Sequence, residues 1–203
     1  MKNLLILTGT SRAGKTSILE SLMLSSKDAV EGDNKYTLKD LDLDVIGKYT
    51  FDGVVQGIDR IQGAQKIFDY ITTEVEIKRS IMFDSWMLSR SRRILQDLID
   101  WGCKNFGKVY IVKATPKFQN EKEFYNTDFE YVEKIYTRLK NVNEQNQKVV
   151  FKEIHTLGND KEEKDVNELI REIFNLDFDF KLSLRFKRKS LKKRNKSLGL
   201  LKK

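Results

Sequence analysis

The stretch Gly9-Thr10-Ser11-Arg12-Ala13-Gly14-Lys15-Thr16 decides the fold of this chain. A short apolar run, Leu4-Leu5-Ile6-Leu7, precedes it, and an amphipathic segment over residues 15–24 follows it. A strand that leads through such a glycine-rich turn into a helix places successive backbone N–H groups around one concavity. We therefore predict a buried strand over residues 2–7, a cradle for an anion and a helix that begins at Lys15.

The spacing G-x-x-x-x-G-K-[ST] of this stretch is that of a phosphate-binding loop. Lys15 is expected to reach the β- and γ-phosphates of ATP, and the Thr16 hydroxyl is expected to bind Mg²⁺. A glycine-rich turn that binds nothing is the alternative, and the flanking strand and helix argue against it. The predicted nucleotide contacts are Gly9, Thr10, Ser11, Arg12, Ala13, Gly14, Lys15, Thr16 and Ser17.

Segments typical of strands and helices alternate along the chain to about residue 175. The further strands are expected at residues 44–50, 79–83, 109–112 and 149–154, and the further helices at 61–73, 86–101, 131–139 and 166–174. This order predicts an α/β fold, a doubly wound parallel sheet with helices on both faces. The polar residues 25–43 lack periodicity and predict only a turn at residues 31–34.

A second functional carboxylate is expected at Asp84. The run Ser80-Ile81-Met82-Phe83 reads as a buried strand that ends at this residue, and ligands bind at the carboxyl ends of parallel strands. Asp84 is predicted either to hold Mg²⁺ through water or to accept a proton from an attacking hydroxyl. A cap on the helix that begins near Trp86 is the alternative role.

Residues 3–26 and 79–102 resemble the small P-loop nucleoside and nucleotide kinases, particularly the thymidylate-kinase-like members. Such kinases end a strand in Asp-Arg-aromatic with a later Ser. Here Asp84-Ser85-Trp86-Met87-Leu88-Ser89 keeps the Asp, the aromatic residue and the Ser, and has Ser85 in place of the Arg. The resemblance implies phosphoryl transfer from ATP and Mg²⁺, with Arg90 as the substitute for the missing cation.

The glycine-rich segment 47–60 is similar to the region that phage-type P-loop kinases, including 5-hydroxymethyluridine DNA kinases, place beside the acceptor. Its glycines permit close approach to a planar ligand, its aromatic residues can stack on a base, and its Asp-Arg pair can bind a hydroxyl or a phosphate. A helix cap and a surface charge explain the Asp-Arg pair equally well. The predicted acceptor contacts are Tyr49, Phe51, Gly53, Asp59 and Arg60.

A kinase also needs a lid that excludes water, and the charged segment after Pro116 is the candidate. Arg138, on the helix predicted at residues 131–139, is the residue expected to close on the transferring phosphoryl group. A solvent-facing charge is the alternative for this arginine.

The net charge of +8 is concentrated at the C-terminus. Residues 181–203 hold 11 of the 38 Lys and Arg residues and no acidic residue, so residues 1–180 hold 27 basic against 30 acidic residues. We predict a kinase-like domain over residues 1–180 and a basic tail over residues 181–203. The tail favours contact with a polyanion such as DNA; an inert solubilising tail and an amphipathic helix on an anionic membrane are the alternatives.

One cysteine, Cys103, excludes an internal disulfide, and one histidine, His155, argues against a histidine-built metal site or a Ser-His-Asp triad. No apolar run approaches the roughly 20 residues of a spanning helix. We predict a cytoplasmic protein. Its expected activity is phosphoryl transfer from ATP to a hydroxyl or phosphate of a nucleoside, nucleotide or modified DNA base. The alternative is a nucleic-acid-binding or assembly protein whose ATP site controls binding.

Overall fold

The computed structural model describes residues 1–10, 13–49, 57–116, 126–156 and 160–174 of the chain. Seven strands in these residues form one sheet: β1 (Asn3–Thr8), β2 (Ala29–Gly32), β3 (Lys35–Leu38), β4 (Leu43–Ile46), β5 (Ser80–Asp84), β6 (Lys108–Pro116) and β7 (Val149–Thr156). The helices described are α1 (Lys15–Ser25), α2 (Ala64–Thr73), α3 (Trp86–Ser89), α4 (Arg92–Asn105), α5 (Asn126–Val142) and α6 (Asp160–Phe174). Short 3₁₀ turns span Lys39–Leu41 and Ile58–Ile61.

The sheet is mostly parallel, and its order is β2-β3-β4-β5-β1-β6-β7. The strands from β4 to β7 in this order are parallel, and β2 and β3 add an antiparallel hairpin at one edge. In the centre, Leu7 of β1 pairs with Asp84 of β5, and Thr8 pairs with Lys113 of β6. The loop after β1 therefore begins between the carboxyl ends of β5 and β6. The predicted α/β class is confirmed, and the arrangement is consistent with a P-loop-like fold.

Alternate residues of β1 pack into two separate cores. Leu5 and Leu7 contact a cluster that contains the apolar residues of α1 and α6. Leu4 and Ile6 contact a second cluster that contains those of α2, α3, α4 and α5. Side chains of a strand point alternately to opposite faces, so helices cover both faces of the sheet. Each fully buried leucine or isoleucine contributes about 1.5–3 kcal/mol.

The β2–β3 hairpin was not among the predicted strands. All four residues of β2 are exposed, so the alternation of apolar and polar residues that identifies a half-buried strand is missing. The turn predicted at residues 31–34 is its connection, since Gly32 pairs with Lys35 and Asn34 has a φ of 52°. A two-residue connection with positive φ is typical of a tight hairpin.

The single helix predicted at residues 86–101 is two helices, because the chain turns at Arg90 and Ser91 between α3 and α4. Gly102 lies inside α4. A Cβ atom there would lie 2.7 Å from Leu4 Cδ2 and 2.8 Å from Val109 Cγ2. The glycine thus lets α4 pack closely on β1 and β6 rather than stopping the helix.

Two of the regions predicted from the sequence lie outside the described residues. They are the first part of the predicted lid, residues 117–125, and the predicted basic tail, residues 181–203. Of the helices that the structure describes, none combines the length and the apolar character required to span a bilayer.

Candidate phosphate and metal site

The loop between β1 and α1 is shaped by a glycine at each end. Gly9 has a φ of 134°, and a Cβ atom there would lie 2.5 Å from the carbonyl oxygen of Ala114 in β6. Gly14 has a φ of 80° and precedes the first residue of α1. Because L side chains rarely adopt these conformations, the two glycines of the motif are required by the backbone. Ser11 and Arg12, between them, lie outside the described residues.

Lys15, the first residue of α1, is directed back over the loop. Its side chain is 5% exposed, and Nζ donates hydrogen bonds to the carbonyl oxygens of Gly9 at 3.1 Å and Thr10 at 2.6 Å. Burial lowers the pKa of Lys15, and the nearby carboxylates of Asp84 and Asp59 oppose that shift. No described side chain caps the N-terminus of α1. A buried ammonium group and the positive end of a helix therefore face one loop.

Thr16 and Asp84, the two predicted Mg²⁺ ligands, contact each other directly. The Thr16 hydroxyl donates a hydrogen bond of 2.8 Å to Asp84 Oδ2. Asp84 is the last residue of β5 and is only 6% exposed. The parallel pairing of β5 with β1 brings the carboxylate to the start of α1. Ser17, the last predicted nucleotide contact, is exposed on α1, and Ala13 is fully buried.

Tyr49 occupies the other side of Asp84. Its hydroxyl donates a hydrogen bond of 2.8 Å to Asp84 Oδ1, and its ring is 1% exposed, packed beside Tyr36. Burial and the charge of Asp84 raise the pKa of Tyr49 well above its usual value. A buried ring has no free face for a base, so this placement does not fit the predicted stacking role. Tyr49 instead forms a hydrogen bond to Asp84, the carboxylate that is predicted to bind the metal.

The two described ends of the glycine-rich segment lie beside Asp84. Lys48 and Gly57 form an antiparallel bridge, with a hydrogen bond of 2.9 Å from Gly57 N to the Lys48 carbonyl oxygen. A Cβ atom on Gly57 would lie 2.8 Å from Asp84 Oδ1, and one on Gly47 would lie 2.6 Å from the Gly57 backbone. These glycines permit close approach of the backbone to Asp84. The predicted acceptor contacts Phe51 and Gly53 lie outside the described residues.

Asp59 supports the turn after Asp84. It accepts hydrogen bonds from Ser85 Oγ at 2.5 Å and from Trp86 N at 2.8 Å. Burial raises the pKa of Asp59, and these two hydrogen bonds partly oppose the rise. Ser85 in turn accepts from Leu88 N at 3.0 Å and caps α3. Asp59 thus supports the N-terminus of α3 from another part of the chain, and Ser85, not Asp84, is the N-cap of α3. The α-helix that follows Asp59, α2, has Gly63 as its N-cap and no side-chain cap among the described residues. Arg60, the predicted partner of Asp59, is exposed.

Ser89 connects α3 to the phosphate loop, a contact that the sequence did not predict. Its hydroxyl donates to the Ser85 carbonyl oxygen at 2.6 Å and accepts from Gly9 N at 3.0 Å. The sequence offered one signal, since Ser89 belongs to the six residues that resemble the kinases. The sequence alone does not predict the role of Ser89, because its partner Gly9 lies far away in the chain.

Arg90 borders a cavity of about 430 Å³ at the carboxyl edge of the sheet. Its guanidinium carbon lies 4.9 Å from the centroid of the Trp86 ring, and its Nη2 lies 3.5 Å from Asp128 Oδ1 of α5. The indole N–H of Trp86 is buried and has no hydrogen-bond partner among the described residues. Aromatic and cationic groups thus meet at one cavity. Its lining residues are Gly63, Ala64, Trp86, Met87, Arg90 and Tyr131.

Arg138 is not brought to this site by any described contact. It is exposed on α5, about two turns or 10 Å along the helix from Tyr131. Its role as the lid arginine stays a prediction. Within the described residues there is also no group of three or more His, Cys, Asp and Glu side chains arranged to hold a metal ion.

No protein-family model matches this chain, and a search of curated proteins returned no match either.

Proposed function

We propose that the chain is an ATP-dependent phosphotransferase of the P-loop kinase type, with a doubly wound fold, acting on a nucleoside, a nucleotide or a modified DNA base. The observation that carries the proposal is the 2.8 Å contact between the Thr16 hydroxyl and Asp84, beside the buried Lys15. The motif alone predicts phosphate binding. A carboxylate from the neighbouring strand adds what phosphoryl transfer requires, a second oxygen ligand for a metal bound to the phosphates.

The residues present fit ATP and Mg²⁺. Mg²⁺ binds through one or two protein oxygens together with phosphates and waters, and Thr16 and Asp84 supply such a pair. Bound Mg²⁺ would neutralise charge on the phosphate oxygens. The backbone N–H groups of the loop would hold the phosphates, and Lys15 would exchange its carbonyl partners, Gly9 and Thr10, for phosphate oxygens. The chain would thereby fix the donor for in-line transfer.

The acceptor is proposed to bind in the cavity beside Trp86. This cavity opens two residues after Asp84, at the edge of the sheet where parallel α/β proteins bind ligands. Tyr131 is 49% exposed and can stack on a base, and Arg90 can pair with a phosphate. A planar base that carries an anionic group matches this lining better than a small apolar molecule does.

The test offers ATP labelled on its γ-phosphate together with nucleosides, nucleoside monophosphates and hydroxymethylated DNA. We expect label on one of these acceptors. Lys15→Ala is expected to abolish transfer, and Lys104→Ala, an exposed lysine near the end of α4, serves as the matched control and is expected to leave it unchanged. Label released only as free phosphate, in a DNA-stimulated reaction, would contradict the kinase and favour the alternative, an ATP-controlled nucleic-acid-binding protein.

A further inference from the structure

The two oxygens of Asp84 have different partners on opposite sides. Oδ2 accepts from the Thr16 hydroxyl and faces α1, whereas Oδ1 accepts from the Tyr49 hydroxyl, each at 2.8 Å. A carboxylate held at both oxygens cannot rotate without losing a hydrogen bond to a charged group, and such bonds are the strong ones. The orientation of Asp84 is therefore fixed by two hydroxyl groups from separate parts of the chain.

The Tyr49 side of this arrangement is rigid. The tyrosine ring is 1% exposed, so packing holds it in place. Its hydroxyl has one proton, and Asp84 Oδ1 at 2.8 Å is a better acceptor than the Ile46 carbonyl oxygen at 3.4 Å. Gly57 closes the same side, because even a Cβ atom there would lie 2.8 Å from Oδ1. Oδ1 is thus enclosed by protein.

The sequence left two roles open for Asp84, a metal ligand or a base for the acceptor hydroxyl. A base needs an oxygen that the acceptor proton can reach. Oδ1 is already hydrogen-bonded and enclosed, while Oδ2 points at Thr16, the other residue expected to hold the metal. We propose that Tyr49 is a positioning residue that commits Asp84 to the metal by holding Oδ1 and leaving Oδ2 to Thr16 and the ion. This inference rests on the proposed function of the loop.

The test compares Tyr49→Phe, which keeps the ring and removes the hydroxyl, with the wild-type chain. Mn²⁺ binding is followed by electron paramagnetic resonance in the presence of a non-hydrolysable ATP analogue. Loss of one hydrogen bond to a charged group predicts that Mn²⁺ binds about ten- to hundredfold more weakly. Binding of the analogue without metal is expected to stay unchanged. The Mg²⁺ concentration for half-maximal transfer is expected to rise by the same factor.

The matched control is Tyr36→Phe. Tyr36 packs beside Tyr49, but its hydroxyl donates to the Tyr49 carbonyl oxygen at 3.3 Å rather than to Asp84. This variant is expected to leave Mn²⁺ affinity unchanged. Equal losses in both tyrosine variants would overturn the inference, because they would show a general effect of packing.

A second variant keeps the test decisive where Tyr49→Phe does not fold. In Asp84→Asn the amide oxygen is expected to turn to the Tyr49 hydroxyl, which leaves the NH₂ group facing Thr16 and weakens Mn²⁺ binding at least tenfold. The double variant Tyr49→Phe/Asp84→Asn, where it folds, is expected to recover part of that loss, since its amide can turn its oxygen to the metal.

Two further outcomes overturn the inference while still allowing phosphoryl transfer from ATP. They are unchanged Mn²⁺ affinity in Asp84→Asn, and slower transfer without any change in Mn²⁺ affinity in Tyr49→Phe, which would assign Asp84 to the acceptor proton. A wild-type chain that binds neither the ATP analogue nor Mn²⁺ in its presence would instead contradict the proposed function itself.

Discussion

Two atoms outside the glycine-rich motif fix the position of the first residue of the loop between β1 and α1. The carbonyl oxygen of Ala114 fills the space where a Cβ atom on Gly9 would lie, and the Ser89 hydroxyl accepts the Gly9 N–H. The motif specifies the residues of the loop, but β6 and α3 hold its first residue in place. Both contacts can be tested by single substitutions.

Gly9→Ala is expected to destabilise the protein by about 1–3 kcal/mol, because the residue would combine a φ of 134° with a clash against Ala114. The effect is measured by the thermal unfolding temperature and by the affinity for an ATP analogue. Both are expected to be lower than in the wild-type chain. Gly32→Ala is the matched control, since its nearest contacts are at an ordinary 3.7 Å. Equal stability of the two variants would contradict the prediction.

Ser89→Ala is expected to weaken nucleotide binding, because it leaves the buried Gly9 N–H without its acceptor. An unsatisfied buried donor costs about 1–3 kcal/mol, and part of that loss should appear as weaker binding of an ATP analogue by calorimetry. Ser91→Ala is the control, because the Ser91 side chain makes no capping hydrogen bond to α4. If the Ser89 variant binds the analogue as tightly as the control, the hydroxyl does not support the loop.

At the scale of secondary structure, the sequence predicts the elements whose side chains form the two cores. The buried strands and amphipathic helices carry spacings that identify them, whereas the exposed β2 strand does not. The same distinction holds at the site. Lys15, Thr16 and Asp84 follow from a local motif and a strand end, but the contacts of Tyr49 and Ser89 join residues that are far apart in sequence. Such contacts can be predicted only when the order of the strands in the sheet is known.

The β6, β7 and α5 elements are joined by an ion cluster around the buried Lys113. Lys113 Nζ lies 2.6 Å from Glu133 Oε2 and 3.2 Å from Glu153 Oε1, and Thr115 donates to Glu153 at 2.8 Å. Lys113 is 4% exposed and lies over the Tyr136 ring at 4.8 Å. The ammonium group of Lys113 and its two carboxylate partners hold α5 against the sheet. Loss of this cluster should therefore weaken the packing of β6, β7 and α5 on one another.

Glu153→Gln is expected to lower stability at neutral pH and to have little effect in acid. Burial raises the pKa of Glu153, but hydrogen bonds from Thr115 and Lys113 outweigh it and lower the pKa below its usual value. A carboxylate with a lowered folded-state pKa stabilises the protein above its unfolded pKa of about 4.3, and that contribution disappears as the pH falls through the folded value.

Urea unfolding of the wild-type chain and the Glu153 variant, at pH 7 and across the acid range, measures this difference. Glu172→Gln is the control, because Glu172 forms an exposed ion pair with Lys152, and exposed pairs contribute little. A stability difference between the wild-type chain and Glu153→Gln that is independent of pH would contradict the assignment.

For the molecule as a whole, charge is separated along the chain, with 27 basic and 30 acidic residues in 1–180 and only basic residues among the charges of 181–203. A polycation of this kind binds phosphates by displacing their counterions. We propose that the tail brings the protein to DNA, while the loop and Asp84 determine the chemistry.

Deletion of residues 181–203 is expected to weaken DNA binding and to reduce its dependence on salt. The slope of log affinity against log salt should fall by about 0.9 for each DNA phosphate that the tail neutralises in the full-length chain. Fluorescence anisotropy with a duplex over a series of salt concentrations measures both quantities. Replacement of the eleven tail lysines and arginines by glutamine is the matched variant and should reproduce the deletion. An unchanged slope would reject the role of the tail.

The bridge between Lys48 and Gly57 has a consequence for how far the sequence between these two residues can change during evolution. It joins the two ends of the intervening segment beside Asp84, so the neighbours of the carboxylate do not depend on how many residues lie between them. Each doubling of such a loop costs only about 0.6 kcal/mol of closure entropy. Insertions and replacements between residues 50 and 56 are therefore expected to leave the surroundings of Asp84 unchanged.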